Sequence, residues 1–140
     1  MQCNDGAVKS PNNKKWIMVI DDDLSIRKVI HQVLSLEGYL VQEAGNGAEA
    51  LEVLLNSLNN PPGLLLLDMQ MPVMDGWKFL PAYRHQFSEY LQAPVVVMTA
   101  SLTVARYANQ IKANGYLAKP FNIEELIGIV KSYLNPPGER

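Results

Sequence analysis

Several short apolar runs in this chain end in residues that can do chemistry. WIMVI is followed by Asp21, Asp22 and Asp23, LLLL by Asp68, PVVVM by Thr99 and GYLA by Lys119. Taken singly, each has an ordinary explanation: Asp is a common helix cap, Thr a common strand residue, Lys a common surface residue. Together they read as one site, because open parallel α/β sheets bind ligands beyond the carboxyl ends of their strands. Asp21, Asp22 and Asp68 would then bring like charges close together, which is unfavourable without a counterion. Hard carboxylate oxygens with room for water suit Mg²⁺, and such sites commonly pair one or two carboxylates with a phosphate. Lys119 supplies a positive charge for phosphate oxygens and Thr99 a neutral donor. This is apparatus for phosphoryl transfer, where positioning and charge neutralisation dominate. A carboxylate can itself be the nucleophile and form an acyl phosphate; the residue types alone leave its identity open.

Holding those residues at one rim requires strands and helices in alternation. Residues 16–20 form a buried run stopped by aspartates, and Ile26, Val29, Ile30 and Val33 then recur at helical spacing, with Gly38 placed to close the helix. Residues 39–44 are a second strand, and Asn46 with Glu49 imitates a capping box ahead of Leu51, Leu54, Leu55 and Leu58. After the Asn59-Asn60-Pro61-Pro62 break come a strand at 64–67, a helix over 76–92 with Pro81 near its first turn, and a strand at 94–98. Val104, Tyr107, Ala108 and Ile111 outline a weaker fourth helix, and Gly115–Ala118 a fifth strand. Asn122 and Glu125 repeat the cap, and Ile123, Leu126, Ile127, Val130 and Leu134 supply the inner face of the last helix. Strict strand–helix alternation predicts an α/β fold, a parallel sheet covered on both faces.

Composition narrows the field. At 140 residues, 48% apolar and 19% charged, the chain has room for one domain with a real core. Twelve Lys and Arg against fourteen Asp and Glu leave no basic surplus for direct nucleic acid binding or an anionic membrane. The single Cys3 excludes an internal disulfide and a multi-cysteine zinc site. No apolar run nears the ~20 residues of a membrane span. The opening MQCNDGAVKSPNNKK lacks a signal-peptide core, so a cytoplasmic protein is expected. The expected division is a polar tail at 1–15, a domain at 16–134 and a tail or linker start at 135–140.

The blocks IMVIDDD, LLLLDMQMPVMDG, VVVMTAS and GYLAKPF, in this order, resemble the receiver domain of two-component response regulators. The resemblance runs over residues 16–134, and LLLLDMQMPVMDG is a specific match by itself. It implies a flavodoxin-like, doubly wound five-stranded parallel sheet in strand order 2-1-3-4-5 with five helices. It implies that Asp68 is the phosphoacceptor, charged by a histidine kinase or phosphotransfer protein. Asp21, Asp22, Asp68 and the backbone carbonyl of Gln70 would hold Mg²⁺. Lys119 would bridge the phosphoryl oxygens and Asp68, Thr99 would swing in to hydrogen-bond the phosphoryl group, and Tyr116 would follow from an outward to an inward rotamer. Gln70 and Ser101 stand where the family tunes phosphoryl lifetime, and Lys119-Pro120 is implied to be cis. The implied function is a phosphorylation-operated switch whose output face is the fourth helix, fifth strand and fifth helix. Such a domain assists its own phosphorylation and dephosphorylation and is not an enzyme acting on an external metabolite. Its output partner would be a downstream target protein or an attached output domain; dimerisation on phosphorylation is left open.

Some features depart from that pattern or lie outside it. The interval from Thr99 to Lys119 is about two residues shorter than in many members, which bears on the fourth helix. Asp23 reads as a helix cap, His31 and His85 as ordinary helix residues, and Met69, Met71 and Met74 as loop packing. Two other readings compete. A haloacid-dehalogenase-like phosphatase would use Asp21 as nucleophile within a D-x-D pair, but it leaves Asp68 and its long motif without a role. An unphosphorylated receiver-like binding module would not need the full set of site residues. A flavodoxin-like cofactor binder would need a phosphate loop after the first strand, which is missing here.

Overall fold

The structure, a computed structural model, describes residues 15–107 and 110–135; the expected tails up to residue 14 and from residue 136, and Ala108, lie outside the described residues. In chain order the elements are β1 (Ile17–Ile20), α1 (Leu24–Leu36), β2 (Val41–Ala44), α2 (Gly47–Leu55), β3 (Leu64–Asp68), α3 (Gly76–Gln86), β4 (Val95–Thr99), α4 (Leu102–Arg106), β5 (Gly115–Ala118) and α5 (Ile123–Leu134). All strand pairings are parallel, and the sheet order is β2-β1-β3-β4-β5. That is the doubly wound sheet anticipated from the sequence. No helix among the described residues is long and apolar enough to cross a membrane.

The central strands are apolar at nearly every position because both of their faces are covered. Side-chain alternation divides them. Ile17, Val19, Leu64, Leu66, Val96 and Met98 meet Ile30 and Leu34 of α1 and Leu126 and Val130 of α5. Met18, Ile20, Leu65, Leu67, Val95 and Val97 meet Leu51 and Leu54 of α2 and Phe79, Leu80 and Tyr83 of α3. The helices start where short polar side chains cap them. Asp23, Asn46, Asp75 and Asn122 each accept backbone N–H bonds from the first turn, and Asn122 with Glu125 completes a reciprocal capping box.

Helix α1 closes as Gly38 foretold. Gly38 adopts φ 95°, its N–H donates to Ser35 O at 3.0 Å, and the Tyr39 N–H donates to Leu34 O at 3.1 Å. This is a Schellman ending with Tyr39 folded onto Leu34 in the core. It also shortens the expected strand 39–44, which pairs only from Val41 because the Tyr39 N–H is already engaged.

Other boundaries move for equally local reasons. The helix expected over 76–92 ends at Gln86: Gln92 turns back, and its Nε2 donates to the carbonyls of Arg84 and Phe87 at 3.3 and 3.0 Å. Pro94, with no N–H, stays outside β4 but accepts from the Leu65 N–H at 3.0 Å. Pro81 is the sixth residue of α3, well inside the helix instead of near its first turn. The fourth helix is five residues long; Tyr107 lies just past it and is 46% exposed, while Ile111 packs against the core from the following turn. Val29, one of the apolar residues at helical spacing, and Ile123, assigned to the inner face of the last helix, are each 52% exposed, and Leu58 lies beyond the end of α2.

Candidate phosphoryl-transfer site

The carboxyl rim of the sheet collects the residues that ended the apolar runs. Asp21 follows β1 and is fully buried. Its N–H donates to Ala44 O at 3.1 Å, its Oδ1 accepts from the Asp23 N–H at 2.9 Å, and its Oδ2 accepts from Lys119 Nζ at 2.9 Å. Asp22 is exposed. Asp68, the last residue of β3, is buried, with Oδ1 accepting from the Gln70 N–H at 3.3 Å and lying 3.7 Å from Lys119 Nζ. Carboxylate oxygens of Asp21, Asp22 and Asp68 lie within 4.8 Å of one another. Burial, reinforced by the Asp21 charge, pushes the Asp68 carboxyl up to about 6; Lys119 and the Gln70 N–H pull the other way without cancelling it.

Thr99 ends β4 next to this group. Its Oγ1 accepts from the Ser101 N–H at 2.9 Å, and Ser101 Oγ accepts from the Val104 N–H at 3.2 Å, so the two hydroxyls link the site to the first turn of α4. Lys119 reaches the site from the end of β5, its N–H donating to Thr99 O at 2.8 Å, and the Lys119-Pro120 bond is cis. One open cleft of about 490 Å³ takes in Asp21, Asp22, Asp68, Gln70, Thr99, Ser101 and Lys119. Tyr116 lies apart from that cleft on β5 and is 49% exposed, the outward position.

The loop after Asp68 is fixed by close approaches. Met69 is buried and Met71 nearly so, with Met74 packed against the same core, which bears out their reading as packing residues. The Gly76 N–H donates to Met69 O at 3.1 Å, and a Cβ at Gly76 would stand 2.5 Å from Met69 Sδ and 2.8 Å from Met69 Cα. At the loop tip the Met74 N–H donates to Pro72 O at 2.7 Å across Val73, whose φ is 67°. That is a γ-turn around a β-branched residue, a strained choice. The Met74 carbonyl then accepts from the Gly47 N–H at 2.8 Å, tying the loop to the start of α2.

Residues outside the cleft also sort themselves. Asp23 caps α1 as expected, accepting from the N–H groups of Ser25 and Ile26. This leaves a D-x-D pair without its second free carboxylate and weakens the phosphatase reading. His31 Nδ1 lies 2.5 Å from Glu43 Oε2, and His85 is exposed. The sequence reading passed over Arg27, whose Nη1 donates to the Asp21 carbonyl at 2.7 Å. The available signal was a cation placed four residues after the N-cap, where a long side chain can reach back over the preceding loop.

Comparison with known proteins agrees with this geometry. A model of the response regulator receiver domain matches residues 17–131. The chain belongs to the response regulator receiver domain family. The receiver domain is 35% identical over 120 residues to sporulation initiation phosphotransferase F of Bacillus subtilis, covering 84% of this chain and 92% of that protein. It is 36% identical over 124 residues to the probable transcriptional regulator ycf27 of Cyanophora paradoxa, covering 87% of this chain but 49% of that protein. It spans a similar half, 50%, of the response regulator MprA of a Mycobacterium species, at 36% identity over 84% of this chain. Among solved structures, chemotaxis response regulator CheY4 of Vibrio cholerae superposes with a TM-score of 0.77 at 31% identity, over 87% of this chain and 100% of that one. Receiver domains are phosphoacceptor switches, and neither the phosphatase nor the purely binding alternative is favoured.

Proposed function

We propose that this receiver domain accepts a phosphoryl group on Asp68 from a histidine kinase or phosphotransfer protein and changes the surface formed by α4, β5 and α5. The observation that carries the reading is the convergence of Asp68 with Asp21, Asp22 and Lys119 in one cleft at the carboxyl rim. A cluster of hard oxygen donors whose central carboxyl is pushed up by burial and by the neighbouring Asp21 charge fits a hard divalent cation. Asp21, Asp22, Asp68 and the Gln70 carbonyl would hold Mg²⁺, which when bound supplies positive charge against the phosphoryl oxygens. Lys119, within reach of both Asp21 and Asp68, would add a second positive charge. In the transfer an oxygen–phosphorus bond forms at the Asp68 carboxylate as the bond from phosphorus to the donor breaks, leaving an acyl phosphate.

The phosphoryl group adds roughly −1.5 to −2 charge and strong acceptor oxygens beside Thr99. Thr99 swings toward them and donates its O–H, and the movement carries with it the Oγ1 that accepts from the Ser101 N–H, Ser101 being the residue that caps Val104. The rearrangement therefore reaches the first turn of α4, and Tyr116 is the aromatic group on β5 that follows it inward. Gln70 and Ser101, beside the phosphoryl position, set how water reaches it and so its lifetime. The working unit is residues 16–134 in a cytoplasmic setting, with 135–140 as tail or linker and a target protein or attached domain as output. The chain assists its own phosphorylation and reset and turns over no other substrate.

Intact-mass spectrometry after incubation with acetyl phosphate tests the assignment. Wild type with Mg²⁺ should gain one phosphoryl group; EDTA or Asp68→Asn should reduce the adduct to background. An equal adduct on Asp68→Asn would overturn Asp68 as acceptor.

A further inference from the structure

Arg27 lies in the second turn of α1, outside the cleft. Its guanidinium bridges two acceptors: Nη1 donates to the main-chain carbonyl of Asp21 at 2.7 Å, and Nε donates to Glu43 Oε1 at 2.8 Å. The Arg27 and Glu43 side chains are largely buried, 17% and 12% exposed. Glu43, on β2, also takes Lys28 Nζ at 3.2 Å and His31 Nδ1 at 2.5 Å. Burial would push its carboxyl up, but the bonds from Arg27, His31 and Lys28 outweigh that and hold it below the usual range. Glu43 is thus a fixed anion on a strand, and Arg27 is fixed against it.

The other end of the bridge meets the site's main chain. The Asp21 carbonyl and the Asp22 N–H form one planar peptide unit. The Asp21 carboxylate is oriented by Lys119 and the Asp23 N–H. The Asp22 carboxylate is exposed and has no such protein partner among the described residues, so what the protein sets is the direction of its Cα–Cβ bond, which follows the peptide it leaves from. Arg27 is the side chain that holds that peptide's carbonyl.

We propose that Arg27, anchored by Glu43, is a positioning residue that sets the peptide between Asp21 and Asp22 and so aims the Asp22 carboxylate into the cation site. The inference rests on the reading of that carboxylate cluster as a Mg²⁺ site. A planar guanidinium serves both acceptors at once, whereas an ammonium presents a single point charge. Charge therefore separates from orientation in one substitution: Arg27→Lys keeps the first and loses the second.

The test is calorimetric titration of Mg²⁺ into the metal-free full chain, comparing wild type with Arg27→Lys, Arg27→Ala and Lys28→Ala. Loss of groups that orient metal ligands commonly weakens affinity by about 10-fold or more, and that loss is expected for both Arg27 variants. Lys28→Ala removes a cation from Glu43 but leaves both Arg27 bonds, and should bind as wild type does. A second readout needs no metal: hydrogen exchange at the Asp23 amide, which donates to Asp21 Oδ1 across the same turn, should quicken in both Arg27 variants relative to the Ile20 amide. Wild-type affinity in Arg27→Lys would show that charge alone matters and overturn the proposal, as would equal affinity in all variants. A wild type that takes up no Mg²⁺ would overturn the metal reading itself, a different failure. Should Arg27→Ala not fold, Arg27→Lys carries the comparison.

Discussion

Asp68 works against the fold that holds it. Its carboxyl is raised to about 6 by burial and by Asp21, from an ordinary value of 3.8. The native state therefore binds the Asp68 proton more tightly than the unfolded chain does. Its contribution to stability is fully present below about pH 4 and is lost as the pH rises through about 6. At neutral pH and without metal, Asp68→Asn should raise stability by on the order of 1–3 kcal/mol. It should also flatten the pH dependence between those limits. Thermal melts of both proteins in EDTA at acid and neutral pH check this, and adding Mg²⁺ should narrow the gap by stabilising wild type more. At this scale the sequence was informative about identity and silent about support. Asp21, Asp22, Asp68, Thr99 and Lys119 stood out because each follows an apolar run. Arg27 did not, because its role depends on a backbone carbonyl that no residue letter records.

The elements were legible wherever a cap or a buried period marked them. Asp23, Asn46, Asp75 and Asn122 open helices, Gly38 closes one, and Leu64–Asp68 and Val95–Thr99 are continuous buried strands. Where the reading was off, a nearby hydrogen bond that no residue pattern records had decided the boundary, as with Gln92 turning back onto α3. Pro81 shows the same limit from the other side. An exposed proline at the sixth position of α3 removes the N–H that would have met the Trp77 carbonyl, yet packing of Phe79, Leu80 and Tyr83 keeps the helix continuous. Pro81→Ala should restore that bond and stabilise the protein by roughly 1–3 kcal/mol, read as a higher midpoint in urea. A lower midpoint would mean that the ring's contacts in the groove beside Trp77 outweigh the missing bond.

For the molecule as a whole, the two-sided core followed from alternation and the sheet order from the resemblance to receiver domains, while the register followed from neither. Leu64, Leu65, Leu66 and Leu67 are all fully buried, odd and even positions alike. A slip of one residue in β3 would exchange leucine for leucine on both faces, so apolar packing by itself barely distinguishes the two registers. The distinction comes from the strand's ends. At one end the Gly63 N–H donates to Trp16 O at 2.8 Å, where a Cβ would stand 2.3 Å from Lys15 Cβ. At the other, Asp68 must face Lys119 and the Gln70 N–H instead of the core. Inserting a fifth leucine into the run should therefore leave a folded protein in which the extra residue bulges toward residues 59–63 and Asp68 keeps its place. Mg²⁺ affinity close to wild type in that variant would bear this out; its loss would mean that the Gly63 end is the stronger anchor. A strand of four identical letters works as an unmarked ruler. The aspartate proposed to receive the phosphoryl group is also its zero mark, and a chain that lost this carboxylate would lose, along with its proposed chemistry, part of its knowledge of where β3 begins and ends.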